Sequence, residues 1–188
     1  MSADSAPLSA LEAQSQLKGA LGKAWDRGCA ESTPLALVLV GFDKSQTAEG
    51  TDILQRALRV HCARTHDEVV RRSNDQYVAV LPDTSPAGAR LIGDRLVEAM
   101  RLEDNGRAHR VSVGVAVVVP DDHHDPSDLL SRAETSFDAA QSSGGDRCLG
   151  GQVSVSAKAT KTTPGAFSAL GKIFGKTKKE EEFRRGTD

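Results

Sequence analysis

Apolar residues recur along this chain at two spacings, one helical and one strand-like, and the two alternate. Leu11, Leu17, Leu21 and Trp25 fall at helical intervals between Leu8 and about Arg27, with Gly28 placed to cap the helix. Residues 34–40, PLALVLV, are a continuous apolar run, the mark of a strand buried on both faces. Asp52 to Ala63 predicts a helix with Ile53, Leu54, Ala57 and Leu58 inward. Two short strands, Glu68 to Arg72 and Gln76 to Leu81, flank Ser73-Asn74-Asp75, whose side chains suit a hairpin turn. Ser85-Pro86 opens a helix, because proline is tolerated in a first turn that lacks N–H partners anyway. That helix runs to about Arg101 with Leu91, Ile92, Leu96, Ala99 and Met100 inward. Arg110 to Val119 is a valine-rich strand, and Asp125-Pro126-Ser127-Asp128 starts a further helix through Phe137 and Ala140. Ser142 to Asp146 reads as a turn and Arg147-Cys148-Leu149 as a last edge strand.

This order predicts an α/β (α+β) fold, a central mixed sheet with one antiparallel hairpin, flanked by helices. Residues 1–33 form a helix leading into the domain, 34–149 the domain, and 150–188 an appendage. Gly150 to Thr163 is small and polar and reads as a flexible linker. Beyond it Phe167, Leu170, Ile173 and Phe174 share one helical face, ringed by Lys172, Lys176, Lys178 and Lys179. We read this as a basic amphipathic segment that docks on a protein partner. Gly171 and Gly175 weaken the helix by ~1 kcal/mol each relative to alanine. An anionic membrane surface is the other ligand for such a face, and Glu180-Glu181-Glu182 argues against it.

Charge and cysteine usage narrow the setting. A net charge of −2 gives no reason to expect nucleic acid. Cys29, Cys62 and Cys148 are far apart, with no CxxC, so neither a zinc site nor a disulfide framework is expected. The first residues lack the basic and apolar regions of a signal peptide, and no apolar run approaches the ~18 residues of a membrane span. A cytoplasmic protein is expected.

Several segments resemble the GGDEF domain of diguanylate cyclases. Residues 34–43, PLALVLVGFD, are similar to the family's first strand, which normally ends in Asp-x-Asp. Residues 76–84, QYVAVLPDT, look like the second hairpin strand and its exit. VSVGVA at 111–116 is similar to a Ser-x-Gly-Val-Ala strand, and SRAETSF at 131–137 to the helix after it. The likeness covers about two thirds of the chain, and order and spacing together carry it.

The resemblance implies a signature turn at Ser73, Asn74, Asp75, Gln76 and Tyr77, and this turn departs from the family's pattern. Both glycines, which let backbone approach a triphosphate, are absent. Gln76 stands for a carboxylate that would hold divalent cations, and a neutral amide is a poorer ligand for a hard cation. The first metal-ligand aspartate corresponds to Gly41, so only Asp43 and Asp75 remain as acidic remnants. The loop after Asp43, which would carry guanine-recognising residues, is short, and a phosphate-binding lysine near Ala140 is missing. The expectation is a chain that is not an enzyme, with no catalytic residues, no metal and no cofactor.

What the resemblance retains is the family's inhibitory-site motif. Arg64-Thr-His-Asp67 has the Arg-x-x-Asp form at the family's distance from the signature turn, and Arg95 takes the place of the site's further arginine. The implied ligand is cyclic di-GMP: Asp67 would read a guanine edge, while Arg64 and Arg95 contact bases and phosphates. Arg71 and Arg72 are candidate rim residues. Alone, Arg-x-x-Asp reads as a surface ion pair of under ~1 kcal/mol; its spacing and the third arginine favour a ligand site. The functional expectation is a bacterial signal-transduction effector that binds cyclic di-GMP, dimerises with ligand and acts on a protein partner. The alternatives are a nucleotide-independent scaffold using the fold and its C-terminal segment, and a residual cyclase. Two other stretches look chemical and are set aside: Asp121-Asp-His-His-Asp125 reads as a solvated loop before an N-cap rather than a metal site, and Gly144-Gly-Asp146 as a turn after a helix.

Overall fold

In the computed structural model, residues 10–44, 47–103 and 109–153 are described. The elements are α1 (Ala10–Glu31), β1 (Leu35–Phe42), α2 (Ala48–His61), β2 (Glu68–Arg71), β3 (Gln76–Pro82), α3 (Pro86–Glu103), β4 (Val111–Val118), α4 (Pro126–Ser142) and β5 (Cys148–Val153). They build one five-stranded sheet in the order β2-β3-β1-β4-β5. β1 lies at its centre, antiparallel to both β3 and β4; the β2–β3 hairpin is antiparallel and β5 joins β4 in parallel.

All eight positions of β1 are buried, as its unbroken apolar run predicts. The strand period of two distributes them between two layers. Ala36, Val38 and Val40 join Ile53, Leu54 and Leu58 of α2 and Leu96 and Met100 of α3 on one face. Leu35, Leu37 and Leu39 join Leu17, Leu21 and Trp25 of α1 and Leu129, Ala133 and Phe137 of α4 on the other. Each completely buried leucine contributes roughly 1.5–3 kcal/mol by leaving water.

Several boundaries differ from the sequence expectation. α1 runs through Gly28 to Glu31, and Ser32, at φ 53, turns the chain instead. Gly28 is small for another reason: a Cβ there would lie 2.6 Å from Pro120 Cγ. α2 begins at Ala48, four residues before Asp52, because the Thr47 hydroxyl caps it by accepting from the Gly50 N–H. Leu91, expected inward, is exposed, as is Leu11; the inward face of α3 uses Leu96 and Met100 as expected, with Ala89 and Val97 beside them and Ile92 and Ala99 partly buried against the core. β5 continues to Val153, so residues 150–153 are strand rather than linker. The C-terminal residues Phe167, Leu170, Ile173 and Phe174 lie outside the described residues.

Two glycines give an opposed pair of predictions. A Cβ on Gly114 would come within 2.2 Å of the Ala133 carbonyl oxygen and 2.4 Å of the Phe137 nitrogen, so α4 rests on bare backbone there. Gly114→Ala is expected to destabilise the domain by about 1–3 kcal/mol in urea unfolding. Gly19, exposed on α1 with nothing within 4 Å of its built Cβ, should behave oppositely, and Gly19→Ala should stabilise by about 0.5–1 kcal/mol.

Candidate functional site

α2 ends where the Cys62 N–H donates to the Leu58 carbonyl, and residues 62–67 lead to β2. This loop is closed by its own Arg64 and Asp67. The Asp67 N–H donates to the Arg64 carbonyl at 3.0 Å, and the Arg64 N–H donates to Asp67 Oδ2 at 3.0 Å. The Arg64 Nε lies 3.5 Å from the same oxygen. The guanidinium then reaches across to the β3–α3 connection: Nη2 donates to Thr84 Oγ1 at 2.7 Å and Nη1 to the Asp83 carbonyl at 3.4 Å. Thr84 is buried, and its hydroxyl donates in turn to the Pro82 carbonyl. Half of the Arg64 side chain is exposed, 54%, against 1% for that of Asp67. In this conformation the Asp67 carboxylate therefore faces inward, and it must turn outward to read a guanine edge.

Arg95 projects from α3 as an exposed cation with no hydrogen bond or ion pair among the described residues. Its field reaches the end of α2: burial lowers the His61 pKa and the Arg95 charge lowers it further. At Cys62, burial pushes the thiol up to about 12, with the Asp67 charge adding and Arg64 opposing. Arg64 and Asp67 thus form the loop that follows the C-terminus of α2, and the Arg95 charge is felt at His61, the last residue of that helix.

The signature-turn residues lie at the other end of the β2–β3 hairpin. Arg72 and Ser73 both donate N–H groups to the Gln76 carbonyl, and Asp75 N–H meets Ser73 Oγ. Arg71 clamps the turn by donating to the carbonyls of Ser73 and Asn74, with its guanidinium 6.0 Å from the Tyr77 ring centre. Arg72 pairs with Glu134 on α4. Arg71 ends β2, four positions or roughly 13 Å of strand beyond Asp67, and Arg72 follows it, so neither forms a rim of the Arg64 loop.

Gly41 pairs with Gln76 in the register of β1 and β3. A Cβ on Gly41 would lie 2.8 Å from Phe137 Cζ and 3.0 Å from Gln76 Cγ. Asp43 is engaged elsewhere: it accepts from the Ser112 hydroxyl and, at 2.7 Å, from the Asp146 N–H. Asp146 also receives Arg101 Nε at 3.0 Å. Gly144 and Gly145, at φ 106 and 71, end α4 as a turn. Among the described residues no three acidic, histidine or cysteine side chains converge to hold a metal ion. Gly41 brings no side-chain ligand and Gln76 a neutral amide, while both oxygens of Asp43 already accept hydrogen bonds. His124 Nδ1 pairs with Asp121 Oδ1 at 2.6 Å, and Asp125 caps α4 by accepting from the Ser127 N–H.

The model of the family described as "Diguanylate cyclase, GGDEF domain" matches residues 3–147. The chain belongs to the GGDEF family. Over 125 residues it is 26% identical to the probable diguanylate cyclase DgcE of Escherichia coli (strain K12), covering 60% of this chain and 11% of that protein. The chain thus spans about a tenth of the curated relative's length. Its fold is similar to the active GGEEF domain of a diguanylate cyclase from Vibrio cholerae, with a TM-score of 0.60 at 16% identity over 68% of this chain and 88% of that one. It is also similar to the GGDEF domain of DgcB from Caulobacter crescentus in complex with c-di-GMP, with a TM-score of 0.57 at 15% identity over 80% and 98%. One expectation is overturned here. A chain that is not an enzyme was expected from the departures at residues 73–76, at Gly41, in the loop after Asp43 and near Ala140, whereas the whole 3–147 segment matches a family of diguanylate cyclases, which are enzymes.

Sequence reasoning missed Thr84 and Asp146. Thr84 had a local signal, since Asp-Thr-Ser-Pro before a helix is a run of capping residues; the tie between Asp146 and Asp43 spans 103 positions and had none. None of the described helices is long and apolar enough to cross a membrane.

The placement of Arg95 yields a direct check. Removing its charge in Arg95→Gln should move the His61 pKa part of the way back up toward its ordinary value of 6.5, as burial remains. Histidine ring shifts followed by NMR against pH measure this; an unmoved His61 would place Arg95 away from the end of α2.

Proposed function

We propose that this GGDEF domain binds cyclic di-GMP through Arg64, Asp67 and Arg95, an inhibitory-type site, and passes the signal on by protein contact. The observation that carries this reading is the polar geometry of the Arg64 loop, with Arg64 half-exposed and aimed by Asp67 and Thr84; Arg95 on α3, exposed and without a partner among the described residues, is the further cation we assign to it. Arg95, and Arg64 on exchanging the hydrogen bonds that aim it, can pair with phosphate oxygens or donate in parallel to a guanine edge. Asp67 turns outward on binding and accepts from guanine N1–H and its amine, releasing the Arg64 N–H. The departure of residues 73–76 from the family signature leaves this site intact, since it lies at the other end of β2. The c-di-GMP complex of the Caulobacter crescentus domain shows that the shared fold accommodates this ligand. The ligand is intracellular, so the role we assign is cytoplasmic. The partner surface we assign from sequence is the face carrying Phe167, Leu170, Ile173 and Phe174.

The family match favours a second reading, a diguanylate cyclase whose product returns to this same site. Formation of cyclic di-GMP from GTP with magnesium or manganese establishes it.

Isothermal calorimetry of the whole chain with cyclic di-GMP, and with GTP for comparison, tests the binding site. Arg64→Ala and Arg95→Ala are each expected to weaken cyclic di-GMP by about tenfold or more, the loss of one charge-assisted contact. Absence of binding by the parent chain, or equal affinity in both variants, refutes the assignment.

A further inference from the structure

A cleft of 590 Å3 opens between α4 and β5, away from both ends of the β2–β3 hairpin. Its size is that of a small-molecule pocket. The β4–β5 ladder creates it. Val115 pairs with Gly150, but the next pairing joins Val117 to Val153, so β5 bulges outward over two residues. Gly150, at φ 91, makes the detour possible, since a Cβ there would meet the Val115 carbonyl oxygen at 2.0 Å. The walls are largely apolar, from Val117, Leu149 and the exposed helix position Ala139.

The charge in the cleft has one sign. Arg90 and Arg132 line it, and among the described residues no carboxylate does. Arg90 is partly committed, to Asp94 at 3.2 Å and to the Gly150 carbonyl at 3.5 Å. Arg132 is half-buried on α4 and makes no ion pair or hydrogen bond among the described residues. One turn along the same helix face, Ser136 brings a hydroxyl that likewise makes no hydrogen bond among the described residues. A half-buried guanidinium without a counter-ion is costly unless an anion supplies one.

We propose that this cleft binds a small organic anion, a phosphate monoester or carboxylate carried on an apolar body. Arg132 pairs with the anionic head, Ser136 donates to it, and Val117, Leu149 and Ala139 enclose the body. The site is separate from the Arg64 loop and does not depend on the function assigned to that loop.

Phenyl phosphate, benzoate, inorganic phosphate and benzyl alcohol serve as probes, titrated into the 15N-labelled full chain. Phenyl phosphate or benzoate should shift the amides of residues 136 and 149–152, and should bind more tightly than inorganic phosphate or benzyl alcohol, which each carry only half of the recognised chemistry. The order of the first two shows which head the site prefers. Arg132→Ala should weaken the better anion about tenfold or more. Ala139→Glu, which sets a carboxylate in the cleft from an exposed helix position, should abolish binding with the fold unchanged. Arg64→Ala should leave it as in the parent chain. Shifts confined to other residues, no preference over benzyl alcohol, or affinity unchanged in both Arg132→Ala and Ala139→Glu overturns the proposal.

Discussion

Phe137 sits where two strands have given up their side chains. On β4, Gly114 lets the backbone of α4 settle against the sheet, and on β1, Gly41 leaves room for the tip of the ring beside Gln76. The helix comes this close only because both positions are bare. A buried phenylalanine removed to alanine typically costs about 3–5 kcal/mol, so this seat is a large share of what holds α4 in place. From it follow the turn at Gly144 and Gly145, the parallel pairing of β5 with β4, and the bond from the Asp146 N–H to Asp43 that ties the end of β1 to the end of α4. Position 41 is thereby coupled to the core: any side chain there must displace Phe137 or Gln76.

The Arg64 loop is stabilised by a different kind of interaction. Its geometry is local and polar, two hydrogen bonds between Arg64 and Asp67, and it is anchored beyond itself through Thr84 at the exit of β3. Such a loop keeps a guanidinium in one place without burying it, which is what recognition of a charged ligand needs: donors held in advance lose less entropy on binding. The charge of Arg95, on α3, is felt at His61 at the end of α2, so the site we propose draws on the packing of α2 on α3 and on the crossing of the chain from β3 to α3. The cost is carried by Asp67, whose carboxylate must exchange an internal hydrogen bond for a ligand's.

Much of this was legible in the sequence, for identifiable reasons. The unbroken apolar run of β1, the valine-rich β4 and the turn residues between β2 and β3 are strong strand and turn signals, so the succession of elements along the chain and the hairpin were read correctly. Ends of elements were less legible. Gly28 looked like a cap but serves a contact with Pro120, and Thr47 was not seen as the start of α2 because no helical apolar period begins until Ile53. The spacing of Arg64, Asp67 and Arg95 was visible; the inward turn of Asp67 was not, because it depends on backbone geometry within the loop. Arg71 and Arg72 show the converse, since adjacency in sequence to the motif hid the length of strand between them. The cleft beside β5 had no sequence signal, as it arises from a bulge. The expectation of a non-enzyme weighed single positions against a pattern of 145 residues and gave way to the family match.

The central claim, that the Arg64 loop is where cyclic di-GMP binds, is tested most directly by locating the ligand. Backbone amide shifts of the 15N-labelled chain titrated with cyclic di-GMP would do so. The account predicts that the Arg64 amide moves most, as Asp67 lets go of it, with accompanying shifts through residues 62–68, at Thr84 and around Arg95. Shifts confined to the Gly41 end of β1 and the turn at residues 72–76, with the Arg64 amide unmoved, would contradict it.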